Sequence, residues 1–249
     1  MRRSIRLFRF FLAVSLAAGL AGTPRADEQV DLLLVLTADV SRSLDPTKFR
    51  LQRDGYAAAF SDRRVINAAT SGPQGRIAVT YIEWSGAAER QVVVDWTVIA
   101  NADQARQFSD RLMEAPRPFL GRTSISAGID AAMVQLANAP VRSERRTIDV
   151  SGDGTHNNGR DVRAARDEAV AAGVTINGLV ILSEFPLPSF PEHTHPPGGL
   201  ANYYRENVVG GDGAFVMVAE NFQSFGKAII NKLIAEIAMP AESARSARR

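Results

Sequence analysis

The feature that most constrains this chain is the run Leu32 to Thr37, after which Asp39, Ser41 and Ser43 follow at alternate positions. An uninterrupted apolar run of strand length, rich in Leu and Val and with no polar alternation, predicts a strand covered on both faces, as in a parallel sheet. Side chains of an extended segment repeat their direction every second residue. One carboxylate and two hydroxyls are therefore expected to converge just past the strand's carboxyl end. Oxygen donors of that kind suit a hard cation, with Mg²⁺ preferred.

The rest of the chain alternates the two periodicities. Asp45-Pro46 is a helix-start signal, and Phe49, Tyr56 and Phe60 mark one face of a helix running to about Asp62. A polar loop containing Gly72-Pro73-Gln74-Gly75 leads to a strand over Arg76 to Trp84, and a turn at Ser85-Gly86-Ala87 leads to Arg90 to Trp96, a predicted hairpin. Helical spacing returns at Asp103 to Met113, which Pro116 and Pro118 end, and at Thr123 to Ala137, where Ile125, Ile129, Ala132, Met133 and Leu136 form one apolar stripe. A short strand over Arg145 to Val150, a helix over Val162 to Ala172 closed by Gly173, and a strand over Val174 to Leu182 follow.

Ser183 to Gly199, with Pro186, Pro188, Pro191, Pro196 and Pro197, reads as loop. Leu200 to Asn207 is a short helix, Ala214 to Val218 a last strand, and Asn221 to Ala238 a final helix whose stripe of Phe222, Phe225, Ile229, Leu233 and Ile237 is expected to pack on the sheet.

Alternating strands and helices predict an α/β fold: a doubly wound, mostly parallel six-stranded sheet with one antiparallel edge strand and helices on both faces. In the strand order 3-2-1-4-5-6 the first and fourth strands flank the point where the winding reverses, and ligands bind there at the carboxyl ends. That topology brings Asp39 toward Asp153, which follows the predicted fourth strand.

Asp39-Val40-Ser41-Arg42-Ser43 after a buried strand resembles the first metal motif of von Willebrand factor A-type domains, the fold of integrin I domains. The resemblance covers about Val30 to Ile237. It implies that Thr123, in Gly121-Arg122-Thr123-Ser124, and Asp153, in Ser151-Gly152-Asp153-Gly154, complete a metal site with Asp39, Ser41 and Ser43. It further implies Mg²⁺ (or Mn²⁺ or Ca²⁺) as the ion, a protein partner offering Asp or Glu as the last ligand, no enzymatic activity, and movement of the final helix coupled to binding. Within this superfamily the chain looks most like the bacterial exported members.

Other motifs can be weighed from the letters. Asp149, Ser151, Asp153 and Gly154 begin like an EF-hand loop, but Arg160 stands where the bidentate Glu is required. An aspartate after an early strand also fits the nucleophile of a haloacid-dehalogenase-type phosphatase, a metal-dependent phosphoester hydrolase, but Ser41 holds the place of that family's second acid. That alternative would need a base or nucleophile from Asp39, Asp153 or His156. Glu192, His193 and His195 are compatible with a small transition-metal site or with a solvated loop. Glu83 and Trp84, at a strand end, are candidates for the binding rim, with plain packing as the alternative for Trp84. No GxGxxG, GxxxxGK[ST] or GxSxG pattern occurs.

Composition sets the remaining bounds. At 249 residues, 45% hydrophobic and 22% charged, the chain suits one domain with a full core. Residues 1–26 resemble an export signal, with five arginines, no acid and an apolar run from Phe8 to Leu20 that is short for a bilayer span. Arg2-Arg3 gives it a twin-arginine flavour, and cleavage is expected after Ala21 or Ala26. The domain is expected over 27–239 and a disordered tail over 240–249, in a periplasmic or secreted bacterial protein. The formal charge of +2 is carried by the ends, so the body is mildly acidic and a nucleic-acid partner is not expected. The absence of Cys leaves the fold to its core and to any bound ion.

Overall fold

The computed structural model describes residues 28–238; the expected export signal and the tail from Pro240 lie outside the described residues. Six strands form one sheet in the order β3-β2-β1-β4-β5-β6. They are β1 (Leu33–Asp39), β2 (Ile77–Trp84), β3 (Arg90–Ile99), β4 (Arg146–Gly152), β5 (Thr175–Ile181) and β6 (Val216–Ala219). All neighbours pair in parallel except β2 with the edge strand β3. The doubly wound order is therefore the expected one.

The central strand shows why. Every residue of β1 is buried, and its side chains alternate between two cores. Leu34, Leu36 and Ala38 face the core covered by α1 (Pro46–Ser61), α2 (Arg63–Thr70), α3 (Ala102–Glu114) and α8 (Phe225–Ala238). Leu33 and Val35 face the core covered by α4 (Ile125–Ala137), α5 (Val162–Ala171) and α7 (Leu200–Asn207). A strand with apolar residues at both parities has no solvent face to offer, so helices must cover both sides. Among the described residues, no helix is long and apolar enough to cross a membrane.

Several boundaries differ from the sequence expectation. Arg63 to Thr70 is the helix α2, where the sequence reads as the start of a polar loop; Val65 and Ala69, at i,i+4 spacing, are buried, and Ile66 and Ala68 pack beside them. A four-residue helix, α6 (Pro191–Thr194), interrupts the proline-rich loop. The helix expected from Thr123 begins at Ile125, with the Ser124 side chain accepting from the Ala127 amide, which leaves Thr123 outside the helix. The last helix begins at Phe225 because Asn221 closes a local turn, its Oδ1 accepting from the Ser224 amide at 2.9 Å. Phe222 still packs in the core, only 5% exposed.

Candidate metal site

The five residues expected at the carboxyl ends of β1 and β4 come together in one hydrogen-bonded chain. Asp39 ends β1 and Asp153 follows β4 by one residue, and these two strands are neighbours at the point where the winding reverses. The convergence of Asp39, Ser41 and Ser43 does not come from continued strand alternation. The chain turns immediately after Asp39, with the Ser41 amide donating to Asp39 Oδ1 at 2.7 Å and the Leu44 amide to the Ser41 carbonyl at 3.1 Å. Ser41 Oγ then lies 2.9 Å from Ser43 Oγ, Ser43 Oγ donates to Asp153 Oδ1 at 2.7 Å, and Thr123 Oγ1 donates to Ser41 Oγ at 3.2 Å.

The turn is held from outside as well. Gln52 Nε2 donates to the Asp39 carbonyl at 3.0 Å, and Arg117 Nη2 donates to the carbonyls of Val40 and Ser41 at 2.8 and 2.9 Å. Asp45 caps α1 through the amides of Thr47 and Lys48, as its position before Pro46 predicts. Ser43 is thereby left to the site and takes no part in the cap.

Both carboxylates are buried, Asp39 at 0% and Asp153 at 1% exposure, and the Oδ2 atom of each has no hydrogen-bond partner. Burial, reinforced by the facing Asp153, pushes the Asp39 carboxyl up to about 8. Burial raises Asp153 as well. Unpaired carboxylate oxygens cost several kcal/mol to hold dry and charged unless a cation completes them. Two such oxygens beside three hydroxyls make a donor set of hard oxygens with a net charge of about −2 when both acids ionise, which fits a divalent ion of the Mg²⁺ type. Among the described residues no three His, Asp or Glu side chains are grouped to hold a metal, so a nitrogen-rich transition-metal centre is not built here.

Of the two readings open for Glu192, His193 and His195, the transition-metal grouping does not form, and the three residues go separate ways. Glu192 and His195 are exposed. His193 is buried and stands over the candidate site, its Nε2 3.3 Å from Thr123 Oγ1. Asn157 fixes the ring's tautomer. Its Oδ1 accepts from the Thr123 amide at 3.0 Å, so its NH₂ group faces His193 Nδ1 at 3.4 Å. Nδ1 therefore accepts, and the proton sits on Nε2, which donates to Thr123. Burial also lowers the His193 pKa, keeping the ring neutral.

The sequence does not place His193 over the candidate site. The one local signal for it lies elsewhere, in the glycine after Asp153: a Cβ at Gly154 would lie 2.2 Å from His193 Cε1 and Nε2. Gly154→Ala is expected to displace the imidazole and to lower stability by about 1–3 kcal/mol, as overpacking does. Urea unfolding of this variant, of His193→Ala and of the double variant checks it. In the double variant the penalty of the added methyl should largely vanish.

Other expected roles are corrected by position. Glu83 does not line a rim; it is 0% exposed and clamped by Arg53 in a two-pronged ion pair at 2.8 Å. Trp84 is likewise fully buried, packed where Gly128 of α4 leaves room for its indole. His156, the possible base of the hydrolase alternative, donates its backbone amide to the Tyr203 hydroxyl at 3.2 Å, while the ring over the site hydroxyls is that of His193.

The fold is similar to solved von Willebrand factor A structures. Proximal thread matrix protein 1 from the mussel byssus matches with a TM-score of 0.61 at 11% identity, over 85% of this chain and 49% of that one. A further structure of that protein, with a TM-score of 0.55 at 16% identity over 86% of this chain and 49% of that one, is described with a zinc occupied MIDAS motif. The pilus adhesin SpaC from Lactobacillus rhamnosus GG matches with a TM-score of 0.59 at 14% identity, over 85% and 31% of the two chains. The von Willebrand factor type A protein from Catenulispora acidiphila gives 0.53 at 13% identity, over 84% and 43%. The present chain thus spans half or less of the length of these solved chains. No curated protein matches the sequence. The family model described as "Protein of unknown function (DUF1194)" matches residues 29–241, and the chain belongs to that family.

Proposed function

We propose that this chain is an exported, non-enzymatic binding module that holds a divalent cation, Mg²⁺ in the first instance, through Asp39, Ser41, Ser43, Thr123 and Asp153. A partner protein would bind by supplying an Asp or Glu carboxylate to that ion. The observation that carries the reading is the pair of buried, unpartnered Oδ2 atoms of Asp39 and Asp153 beside three linked hydroxyls. Three of the five donors are neutral, which leaves a bound cation electrophilic and an incoming carboxylate its natural complement. The zinc occupied motif of the mussel protein and the adhesin among the similar folds support this reading by analogy. Binding of this kind makes and breaks no covalent bond, so it calls on no general base or nucleophile.

Isothermal titration of the purified protein with Mg²⁺ and Mn²⁺ tests it. The parent is expected to bind a single ion and the Asp39→Ala/Ser41→Ala double variant none. Where the free protein holds the ion poorly, added acetate should strengthen binding by taking the partner's place. A parent that binds neither ion, with or without acetate, would overturn the proposal.

A further inference from the structure

We propose, on the reading above, that the partner segment is an Asp or Glu flanked by a large apolar side chain, because the three site hydroxyl residues line a cleft that is also lined by an apolar segment. The cleft has a volume of about 790 Å³. Ser41, Ser43 and Thr123 line it together with the apolar residues Leu187, Pro188, Phe190 and Pro191. A carboxylate that reaches the ion therefore brings its neighbouring residue against an apolar wall.

The wall is preformed. The Thr155 amide donates to the His193 carbonyl at 2.8 Å, the Leu187 amide to Thr194 Oγ1 at 3.3 Å, and the Gly199 amide to the Pro196 carbonyl at 2.8 Å. His193 and Thr194 are buried anchors at 9% and 4% exposure, while Phe190, three residues before His193, is 67% exposed. Five prolines between Ser183 and Gly199 restrict the backbone further. An apolar surface already held in place loses little conformational freedom when a ligand covers it.

Charge selects the same partner. Arg42 and Arg122 line the cleft, both exposed and neither paired with a carboxylate among the described residues, against a single lining acid, Glu192. The lining is thus net positive on a body that is net acidic, and a bound divalent cation offsets the two site carboxylates. An acidic segment is drawn to this face, and a basic one is repelled.

The test uses two end-capped tetrapeptides, Gly-Asp-Leu-Gly and Gly-Asp-Gly-Gly, titrated into the purified protein with saturating Mg²⁺, beside the Phe190→Ala variant. The leucine peptide is expected to bind about tenfold more tightly than the glycine peptide, and Phe190→Ala to reduce that ratio to about twofold. A parent ratio near unity, or a ratio that Phe190→Ala leaves intact, overturns the cleft proposal. So does failure of both peptides to bind a protein that binds Mg²⁺. Failure of the parent to bind Mg²⁺ at all would instead overturn the metal reading on which this one rests, and a metal titration of each protein separates the two results.

Discussion

Replacing Lys232 with alanine is expected to cost about 3–5 kcal/mol of stability, seen as a lower urea midpoint at unchanged m. Lys232 sits on α8 at 0% exposure, its Nζ 2.8 Å from Asp149 Oδ1 in the middle of β4. It also pairs with Glu236 one turn along the same helix, and Asn177 Nδ2 donates to Glu236 Oε1 at 2.9 Å. Removing the cluster's cation leaves two dry carboxylates without a counter-charge, which is the expensive way to break a buried cluster. Replacing the cluster as a whole is different. Asp149→Asn, Lys232→Met and Glu236→Gln together should recover most of the loss, because no charge is left stranded.

The same cluster fixes how the deficit varies with pH. Burial pushes Glu236 up to about 7, Asp149 adds to the shift, and Lys232 opposes it. A carboxyl raised in the folded state contributes stability that is fully present below its unfolded pKa and is lost as pH rises through the folded value. Without Lys232 the opposing charge is gone, so the Lys232→Ala deficit should be smaller near about pH 5 than near about pH 8. Because Asp149 lies on the strand that leads into Asp153, the cluster also sets the register of α8 against the candidate site. Any displacement of α8 on binding would have to carry Lys232 away from Asp149.

The fold was legible because its information is local and repetitive: apolar runs at both strand parities, helical stripes, and turn residues between them. Asp39 and Asp153 were legible for a related reason, since each sits at the end of a recognisable strand and the winding order brings those ends together, whereas Thr123 was reached only through the resemblance to von Willebrand factor A-type domains. His193 was not legible. It lies in a stretch without period whose path is set by prolines and by Gly198 and Gly199 at φ of 79° and 84°, and nothing in its neighbours says where that stretch returns. The charged cluster left a signal that was there to be read. Lys232 and Glu236 lie beside the apolar stripe of the last helix at i,i+4 spacing, and Asp149 interrupts a buried strand. Each looks like noise alone, and only the packing of α8 on the sheet makes them partners.

Asp39→Asn is expected to weaken divalent-ion binding by at least about a hundredfold while making the ion-free protein more stable at alkaline pH. The two effects have one cause. The site keeps two carboxylates out of water with an unpartnered oxygen on each, an arrangement suited to a cation and unfavourable without one. The Asp39 carboxyl, at about 8 in the fold against an ordinary value of 3.8, contributes stability at low pH that is lost as pH rises through about 8. Asparagine has no such titration and keeps an oxygen that can accept from the Ser41 amide. The variant should therefore gain on the parent by a few kcal/mol between about pH 5 and pH 9 when metal is removed by chelator. Saturating Mg²⁺ should reverse the order, because only the parent is stabilised by mass action. Ion binding by the parent should also release protons and tighten as pH rises, since the carboxyls must ionise to serve. Urea midpoints at two pH values, each with chelator and with Mg²⁺, measure all of this. A parent that is no less stable than Asp39→Asn in chelator at high pH would mean that the two acids are not held in opposition, and the case for a cation between them would fall with it.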